Sequence, residues 1–225
     1  MNTLYLIRHG ENVANLTKEF SHRKVDYSLT PKGVLQAQQT GEALKGLEID
    51  AIYASPLRRA AETAAILARA VGLPYTILEE LREVNVGDLE GQPPTVEAWE
   101  RHNQVIVAWF QGQLERGFTG GENGFDLRTR FDRALHLMLD GKDDQNLVVV
   151  GHGGQFTFAL PQLCPTVNLA ELITRPNQNC SISKIAVSQQ NGGWEGELLA
   201  WSEFAHLSGL AAELVEGYMT TDNRK

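Results

Sequence analysis

Leu4-Tyr5-Leu6-Ile7-Arg8-His9-Gly10-Glu11 begins with a short apolar run and ends in charged and small residues. A run of this length, bounded by polar residues, is typical of a buried strand that opens onto a loop. Leu147-Val148-Val149-Val150 leads into Gly151-His152-Gly153-Gly154 in the same way. The two stretches predict two buried strands, each followed closely by a histidine.

The rest of the chain alternates between strand and helix patterns. Residues 50–54 and 75–78 are further strand candidates, and Thr30-Pro31 marks the start of the first of three amphipathic helices. Near the end, Asn191-Gly192-Gly193 is a turn signal between two strand patterns. The order predicts an α/β fold: a three-layer sandwich whose sheet is mostly parallel with an antiparallel edge strand, and helices on both faces.

This architecture predicts where a site lies. Open parallel sheets carry their sites beyond the carboxyl ends of the strands. The segments that follow the two buried strands occupy equivalent positions at that edge. We therefore expect His9 and His152 to meet there.

The length of 225 residues fits a single domain spanning residues 1–225. Residues 92–125 combine aromatic side chains with a glycine cluster, and we interpret them as a cap over the sheet edge. Residues 205–225 have apolar side chains at helical spacing and end in a polar stretch, which predicts a C-terminal helix and tail.

Composition narrows the class of protein. The formal net charge of -8 argues against non-specific nucleic-acid binding, but a small anionic substrate depends on local groups instead. The two cysteines have no CxxC spacing, and no apolar stretch is long enough to span a membrane. These features predict a cytoplasmic protein without nucleic-acid or membrane partners, with a homodimer left open.

The candidate site has the residue types that phosphoryl transfer requires. A phosphomonoester needs donors for its oxygens, a nucleophile, and an acid for the leaving group. Arginine forks match phosphate oxygens, and Arg8 and the Arg58-Arg59 pair supply them. A neutral His9 can attack phosphorus. Glu83 follows the fourth strand candidate and is the candidate acid, which requires surroundings that keep its carboxyl group protonated.

Several blocks of the chain, in order over about residues 3 to 190, resemble the histidine phosphatase superfamily. This family includes phosphoglycerate mutases, fructose-2,6-bisphosphatase domains and small-molecule phosphatases. The matching blocks are Leu6-Ile7-Arg8-His9-Gly10-Glu11, Ser55-Pro56-Leu57-Arg58-Arg59, Leu81-Arg82-Glu83, Gly121-Glu122-Asn123 and Val149-Val150-Gly151-His152. Asn12 and Asn123 replace the usual Thr and Ser.

The resemblance implies a role for each matched residue. His9 becomes phosphorylated, Arg8, Arg59 and His152 hold the phosphoryl group, Asn15 assists, and Glu83 donates the proton. It also implies a small phosphorylated metabolite as substrate, no metal and no organic cofactor. His22 and Arg23 follow the first motif, and we hypothesise that they face the substrate, although a solvated loop explains them equally well.

Other interpretations stay open from the sequence. The first is a phosphoglycerate mutase, although Val84-Asn85-Val86-Gly87 lacks the tyrosine–glycine stretch and the following lysine of the mutases. The second is a non-catalytic member that binds a phosphorylated ligand or a protein. Arg59 can also be an exposed helix residue paired with Glu62, and Glu83 a surface carboxylate. The pattern favours a phosphatase that works through phospho-His9.

Overall fold

The fold is built on one six-stranded sheet. The computed structural model describes residues 1–175, 177–190 and 192–214. The strands lie in the order β3-β2-β4-β1-β5-β6 across the sheet. Their bounds are β1 Asn2–Arg8, β2 Ala51–Ala54, β3 Tyr75–Ile77, β4 Asn146–Gly151, β5 Ile182–Gln190 and β6 Gly193–Glu203.

Four of the six strands are parallel. β1 pairs with β4 in a register that places Arg8 opposite Gly151, and β4 pairs with β2, which pairs with β3. β5 is antiparallel to β1, and β6 is antiparallel to β5 and forms the edge. The predicted antiparallel edge is therefore a hairpin of two strands, and the mostly parallel α/β sheet is confirmed.

Helices cover both faces of the sheet and make the three predicted layers. The α-helices are α1 Val13–Thr17, α2 Pro31–Leu44, α3 Arg58–Val71, α4 Val96–Phe110, α5 Gly124–Leu139, α6 Gly153–Leu163 and α7 Leu169–Thr174. α2 and α3 pack against Ile7 and Val148, whereas α5 and α6 pack against Leu6 and Val149. Alternate residues of each buried strand thus pack into the cores on opposite faces of the sheet.

The start of α2 follows its sequence signal. Thr30 is the N-cap, and its side chain accepts a hydrogen bond from the Gly33 backbone N–H at 3.0 Å. Pro31 occupies the first turn, where the absence of an N–H costs nothing. The loop that precedes α2 is thereby fixed next to the end of β1, where the Thr30 backbone N–H donates to the Glu11 carbonyl at 2.9 Å.

α4 and the loop after it form a separate small core at the sheet edge. Trp109 and Phe118 pack together with Phe20, Val86 and Leu127. This segment lies within the stretch interpreted as a cap.

The C-terminal stretch departs from the prediction. Within residues 205–214 the chain forms a 3-10 turn at Gly209–Ala212 instead of an α-helix. Leu207 and Ala211 are nevertheless buried against Ala37 and Cys180, so their apolar spacing reflects packing of a loop. The remainder of the predicted tail, residues 215–225, lies outside the described residues. Across the part of the chain that the structure describes, no helix is both long and apolar enough to cross a membrane.

Candidate active site

The two histidines meet beyond the carboxyl ends of β1 and β4. The His9 backbone N–H donates to the Gly151 carbonyl at 3.0 Å, which continues the strand pairing by one residue. The imidazole rings of His9 and His152 are 5.2 Å apart between centroids. Both side chains are buried, with 3% and 0% of their surface exposed.

His9 has the form that a nucleophile needs. Its Nδ1 lies 2.8 Å from the Gly10 carbonyl, so Nδ1 carries the proton and Nε2 keeps its lone pair. The Arg59 Nε–H donates to this Nε2 at 3.1 Å, which is consistent with that tautomer. Burial and the nearby Arg59 and Arg8 charges lower the pKa of His9 well below its usual value. The imidazole is therefore neutral at physiological pH.

His152 lies in a similar environment. Its Nε2 is 2.7 Å from the Ser55 hydroxyl oxygen, and its buried Nδ1 has no hydrogen-bond partner among the described residues. Burial, Arg59 and His9 lower the pKa of His152 well below its usual value. A neutral ring held by Ser55 can direct Nδ1 towards an acceptor.

Arg59 is buried and fixed, whereas Arg58 is exposed. Arg59 donates to the Ser21 hydroxyl at 2.9 Å and to the Ser21 carbonyl at 3.0 Å, and an Asp26 carboxylate oxygen lies 3.6 Å from its Nη1. Glu62, the alternative partner weighed for Arg59, accepts instead from the Leu29 backbone N–H. The structure thus places Arg59 beside His9.

The loop that carries Ser21 is tied to a distant carboxylate. Glu90 accepts hydrogen bonds from the backbone N–H groups of His22 at 2.8 Å, Lys24 at 2.6 Å and Val25 at 3.1 Å. Burial raises the pKa of Glu90, but these N–H donors outweigh it and leave the pKa below its usual value. Glu90 therefore fixes the loop, and through Ser21 it supports Arg59.

Arg8 has a hydrogen-bond donor that is available to an anion. Its Nη1 donates to the Asn177 carbonyl, whereas its buried Nε has no hydrogen-bond partner among the described residues. Asn12 also has a buried side-chain NH₂ group without a partner in that part of the chain. Both residues line the same cavity as His9. Unpaired buried donors that face a cavity fit the oxygens of a phosphoryl group.

Glu83 lies in the cavity wall beside the start of α6. Its Oε1 accepts from the backbone N–H groups of Val84 at 2.8 Å and Gln155 at 2.7 Å, and its Oε2 accepts from Gly154 at 3.1 Å. The sequence predicted surroundings that keep this carboxyl group protonated. In the structure three backbone N–H groups donate to this carboxyl group, and they fix its position in the cavity wall.

Asn15 lies in the cavity wall, but His22 and Arg23 do not. The Asn15 side-chain oxygen accepts from the Asn12 backbone N–H and from the Asn179 amide, both at 3.1 Å. His22 is buried behind the loop, where burial lowers its pKa to about 4, and Arg23 is exposed. Neither is among the cavity-lining residues. The solvated-loop interpretation fits Arg23 better than substrate contact does.

Sequence reasoning missed four residues that shape the site. The sequence identifies Asn12 only as a replacement for the usual Thr, and it does not point to Ser21, Asn177 or Asn179. Asn179 donates to the His9 carbonyl at 2.9 Å, and its signal in the sequence was only that it precedes the predicted antiparallel pair. Ser21 directly precedes His22, for which the sequence predicts a contact with the substrate.

The site opens into a cavity of about 360 Å³. This volume lies at the lower end of the range for small-molecule sites. Trp99, His102 and Ile106 of α4 line it together with residues of β1, α3 and α6. Among the described residues, no group of three or more His, Cys, Asp or Glu side chains is arranged to hold a metal ion.

Two neutral imidazoles flanked by two arginines at this edge of the sheet define a phosphoryl-transfer site. The chain belongs to the histidine phosphatase superfamily (branch 1), whose family model matches residues 4–202. It is thus a phosphatase-type enzyme, as the motifs predicted.

Individual relatives agree with this assignment. "Putative phosphoserine phosphatase 2" of Hydrogenobacter thermophilus is 29% identical over 188 residues, 82% of this chain and 89% of that protein. "Probable phosphoglycerate mutase GpmB" of Salmonella choleraesuis is 32% identical over 202 residues, 86% of this chain and 90% of that protein. The solved structure of Bacillus stearothermophilus YhfR has a TM-score of 0.76 at 28% identity, covering 92% of this chain and 99% of that one.

Proposed function

We propose that this protein hydrolyses a small phosphomonoester in two steps, with His9 as the phosphoryl acceptor. Arg8, Arg59 and His152 bind the phosphoryl oxygens, and Asn15 supports the loop that carries His9. The observation that carries this proposal is the His9 ring itself: buried, neutral, with Nδ1 bound to the Gly10 carbonyl and Nε2 directed at Arg59.

The first step exchanges one bond to phosphorus for another. His9 Nε2 attacks phosphorus, the N–P bond forms, and the bond from phosphorus to the ester oxygen breaks. Arg59 donates to Nε2 before the attack, so it must transfer this hydrogen bond to a phosphoryl oxygen as the nucleophile engages. Its donors then stabilise the charge on the transferring group.

Glu83 supplies the proton to the leaving oxygen in this proposal. Its Oε1 accepts two backbone N–H bonds and its Oε2 accepts one, so Oε2 is the oxygen better able to carry a proton. In the second step the same carboxylate removes a proton from water, which attacks phosphorus and releases phosphate from His9. The enzyme returns to its starting state.

The test is hydrolysis of p-nitrophenyl phosphate in the presence of EDTA, together with trapping of the phosphoenzyme. We expect turnover that EDTA leaves intact and an acid-labile phosphoryl label. His9→Ala should lose both, with a drop in turnover of about 1,000-fold or more. His136→Ala, a change at a partly exposed histidine outside the cavity, is the matched control and should retain both. Most of the activity surviving in His9→Ala would remove His9 from this role.

Phosphoglycerate mutase activity is the second candidate, because a relative that is 32% identical carries that name. In a mutase the phosphoryl group returns from His9 to the substrate skeleton instead of passing to water. The protein is incubated with 3-phosphoglycerate and its bisphosphate primer. Formation of 2-phosphoglycerate faster than phosphate release would place the mutase first.

The remaining expectations extend this proposal. We propose that the reaction takes place in the cytoplasm, and the two buried free thiols of Cys164 and Cys180 are in keeping with a reducing compartment. Residues 92–125 act as a cap, because α4 contributes to the cavity wall. The homodimer stays a prediction, which light scattering on the purified chain tests directly.

A further inference from the structure

Apolar side chains line the same cavity as His9 and the two arginines. Phe20 and Trp99 pack with their ring centroids 4.4 Å apart, and Ile106, Phe158 and Ile173 also line it. We call this surface the distal wall. A phosphomonoester bound at His9 directs its alcohol part away from the arginines, and the distal wall is the apolar part of the cavity available to it.

The positive charges of the described cavity lining lie at the phosphoryl site, where they can bind one anion, the phosphoryl group. Among the described lining residues the cationic side chains are Arg8 and Arg59, and both lie at His9. The acidic lining residues are Glu19 and the proposed proton donor Glu83, and the Glu19 carboxylate repels a second anion.

His102 is the histidine closest to the distal wall, and it does not supply a cation there. Its ring packs between Trp99, at 5.0 Å, and Phe118, at 5.5 Å between centroids. Burial lowers the pKa of His102, so the ring is neutral at physiological pH. A neutral imidazole can bind a hydroxyl or carbonyl group, but it gives little attraction to a carboxylate.

We propose that the preferred substrate is a phosphomonoester of a neutral, largely apolar alcohol, held by the distal wall, and not an ester of a carboxylated metabolite. This inference rests on the proposed phosphatase function and names its substrate class. It separates the chain from the relatives named for phosphoserine and phosphoglycerate, whose substrates carry a carboxylate.

The experiment compares kcat/KM within pairs of esters that share the same kind of leaving oxygen. Ethyl and hexyl phosphate differ only in apolar length, and glycerol 3-phosphate and 3-phosphoglycerate differ in a carboxylate. A buried methylene favours binding by up to about fourfold, so hexyl phosphate should exceed ethyl phosphate by about tenfold or more. Glycerol 3-phosphate should exceed 3-phosphoglycerate by about fivefold or more.

A third pair separates an apolar preference from a cationic one. Phosphocholine and 3,3-dimethylbutyl phosphate have nearly the same shape, but only the first has a positive charge. Because Glu19 and the aromatic rings can also attract a cation, this pair decides the point. The neutral ester should be hydrolysed at least as well, and a clear preference for phosphocholine would overturn the proposal.

Two variants connect the preference to the distal wall. Ile173 lines the cavity with 49% of its surface exposed, so Ile173→Arg adds a cation there without filling a core. This variant should raise kcat/KM for 3-phosphoglycerate by about fivefold. Val107→Arg is the matched control, because Val107 is 48% exposed on α4 and is not a lining residue, and it should leave the value unchanged.

The outcomes distinguish the two proposals. Hydrolysis of none of these esters would contradict the phosphatase function itself. Hydrolysis with 3-phosphoglycerate preferred, or with ethyl and hexyl phosphate equal, would overturn the substrate class and leave the phosphatase function standing. An equal gain in Ile173→Arg and Val107→Arg would show that overall charge, and not the distal wall, sets the preference.

Discussion

Acidification below pH 6.5 should destabilise this fold through His9 and His152. Both imidazoles are buried, and burial together with the Arg59 charge lowers their pKa values well below the ordinary value of 6.5. Between pH 6.5 and the lowered pKa values of the folded state, the unfolded chain binds protons that the folded protein does not bind. The stability contributed by the neutral rings is therefore complete above pH 6.5 and is lost as the pH falls below it.

The size of the effect follows from linkage. For an imidazole that stays neutral in the fold, the free energy of unfolding falls by about 2 kcal/mol between pH 7 and pH 5, or by about 4 kcal/mol for two. Because the two rings are 5.2 Å apart, a proton on one also disfavours a proton on the other. A loss of this size is a large part of the roughly 5–15 kcal/mol that stabilises a typical domain.

Urea unfolding at pH 7 and pH 5, followed by circular dichroism, measures this loss. His152→Gln and His9→Gln remove one titrating ring each, so each variant should lose about 2 kcal/mol less than the wild type between the two pH values. His136→Gln removes a partly exposed histidine outside the site and serves as the control for loss of an imidazole. The reasoning is refuted if the buried replacements leave the pH dependence of the free energy of unfolding unchanged.

Three further substitutions test the support of the site. Glu90→Gln should lower the free energy of unfolding by about 2 kcal/mol, because three backbone N–H groups lose a charged acceptor, and chemical denaturation measures it. Gly33→Ala should cost about 2 kcal/mol or more in the same assay, since its Cβ would lie 2.1 Å from the Glu11 carbonyl oxygen. Arg59→Lys should reduce kcat by about 100-fold in steady-state assays, with Arg58→Lys within about twofold of wild type.

The layered architecture was predictable because it depends on short-range patterns. The apolar runs at residues 4–7 and 147–150 are short and bounded by polar residues, which favours buried strands, and Thr30-Pro31 marks a helix start through local hydrogen bonding. Strands of this kind place their loops at one edge whatever the details of packing. The meeting of His9 with His152 follows from the same rule, and the rings indeed lie together.

The hydrogen-bonding network around Arg59 was not predictable. Ser21 accepts two of its hydrogen bonds, and the loop that carries Ser21 is held by Glu90, 68 residues after His22 in the chain. No local pattern encodes such a contact, since it depends on how two irregular segments pack. Choosing His22 and Arg23 over Ser21 followed from residue type, whereas the backbone turns Ser21 towards the site.

The C-terminal prediction failed for a related reason. Apolar residues at helical spacing identify a buried face, but residues 205–214 bury Leu207 and Ala211 from a loop with one 3-10 turn. The surroundings of Glu83 were not predictable either, because two of its three donors belong to Gly154 and Gln155 of α6, more than 70 residues away. The spacing of apolar residues identifies which side chains are buried, but it does not identify the secondary structure of the segment that carries them.

The hydrogen bond from Arg59 Nε to His9 Nε2 has a consequence for chemical selectivity. The lone pair that attacks phosphorus is masked by a donor, and an electrophile gains access to it only by offering that donor a better acceptor. A phosphoryl group has anionic oxygens that do so, whereas an uncharged alkyl halide has none. Arg59 therefore makes the His9 imidazole selective. The ring reacts slowly with electrophiles that cannot accept the Arg59 hydrogen bond, and it reacts with a phosphoryl group, whose oxygens replace Nε2 as the acceptor.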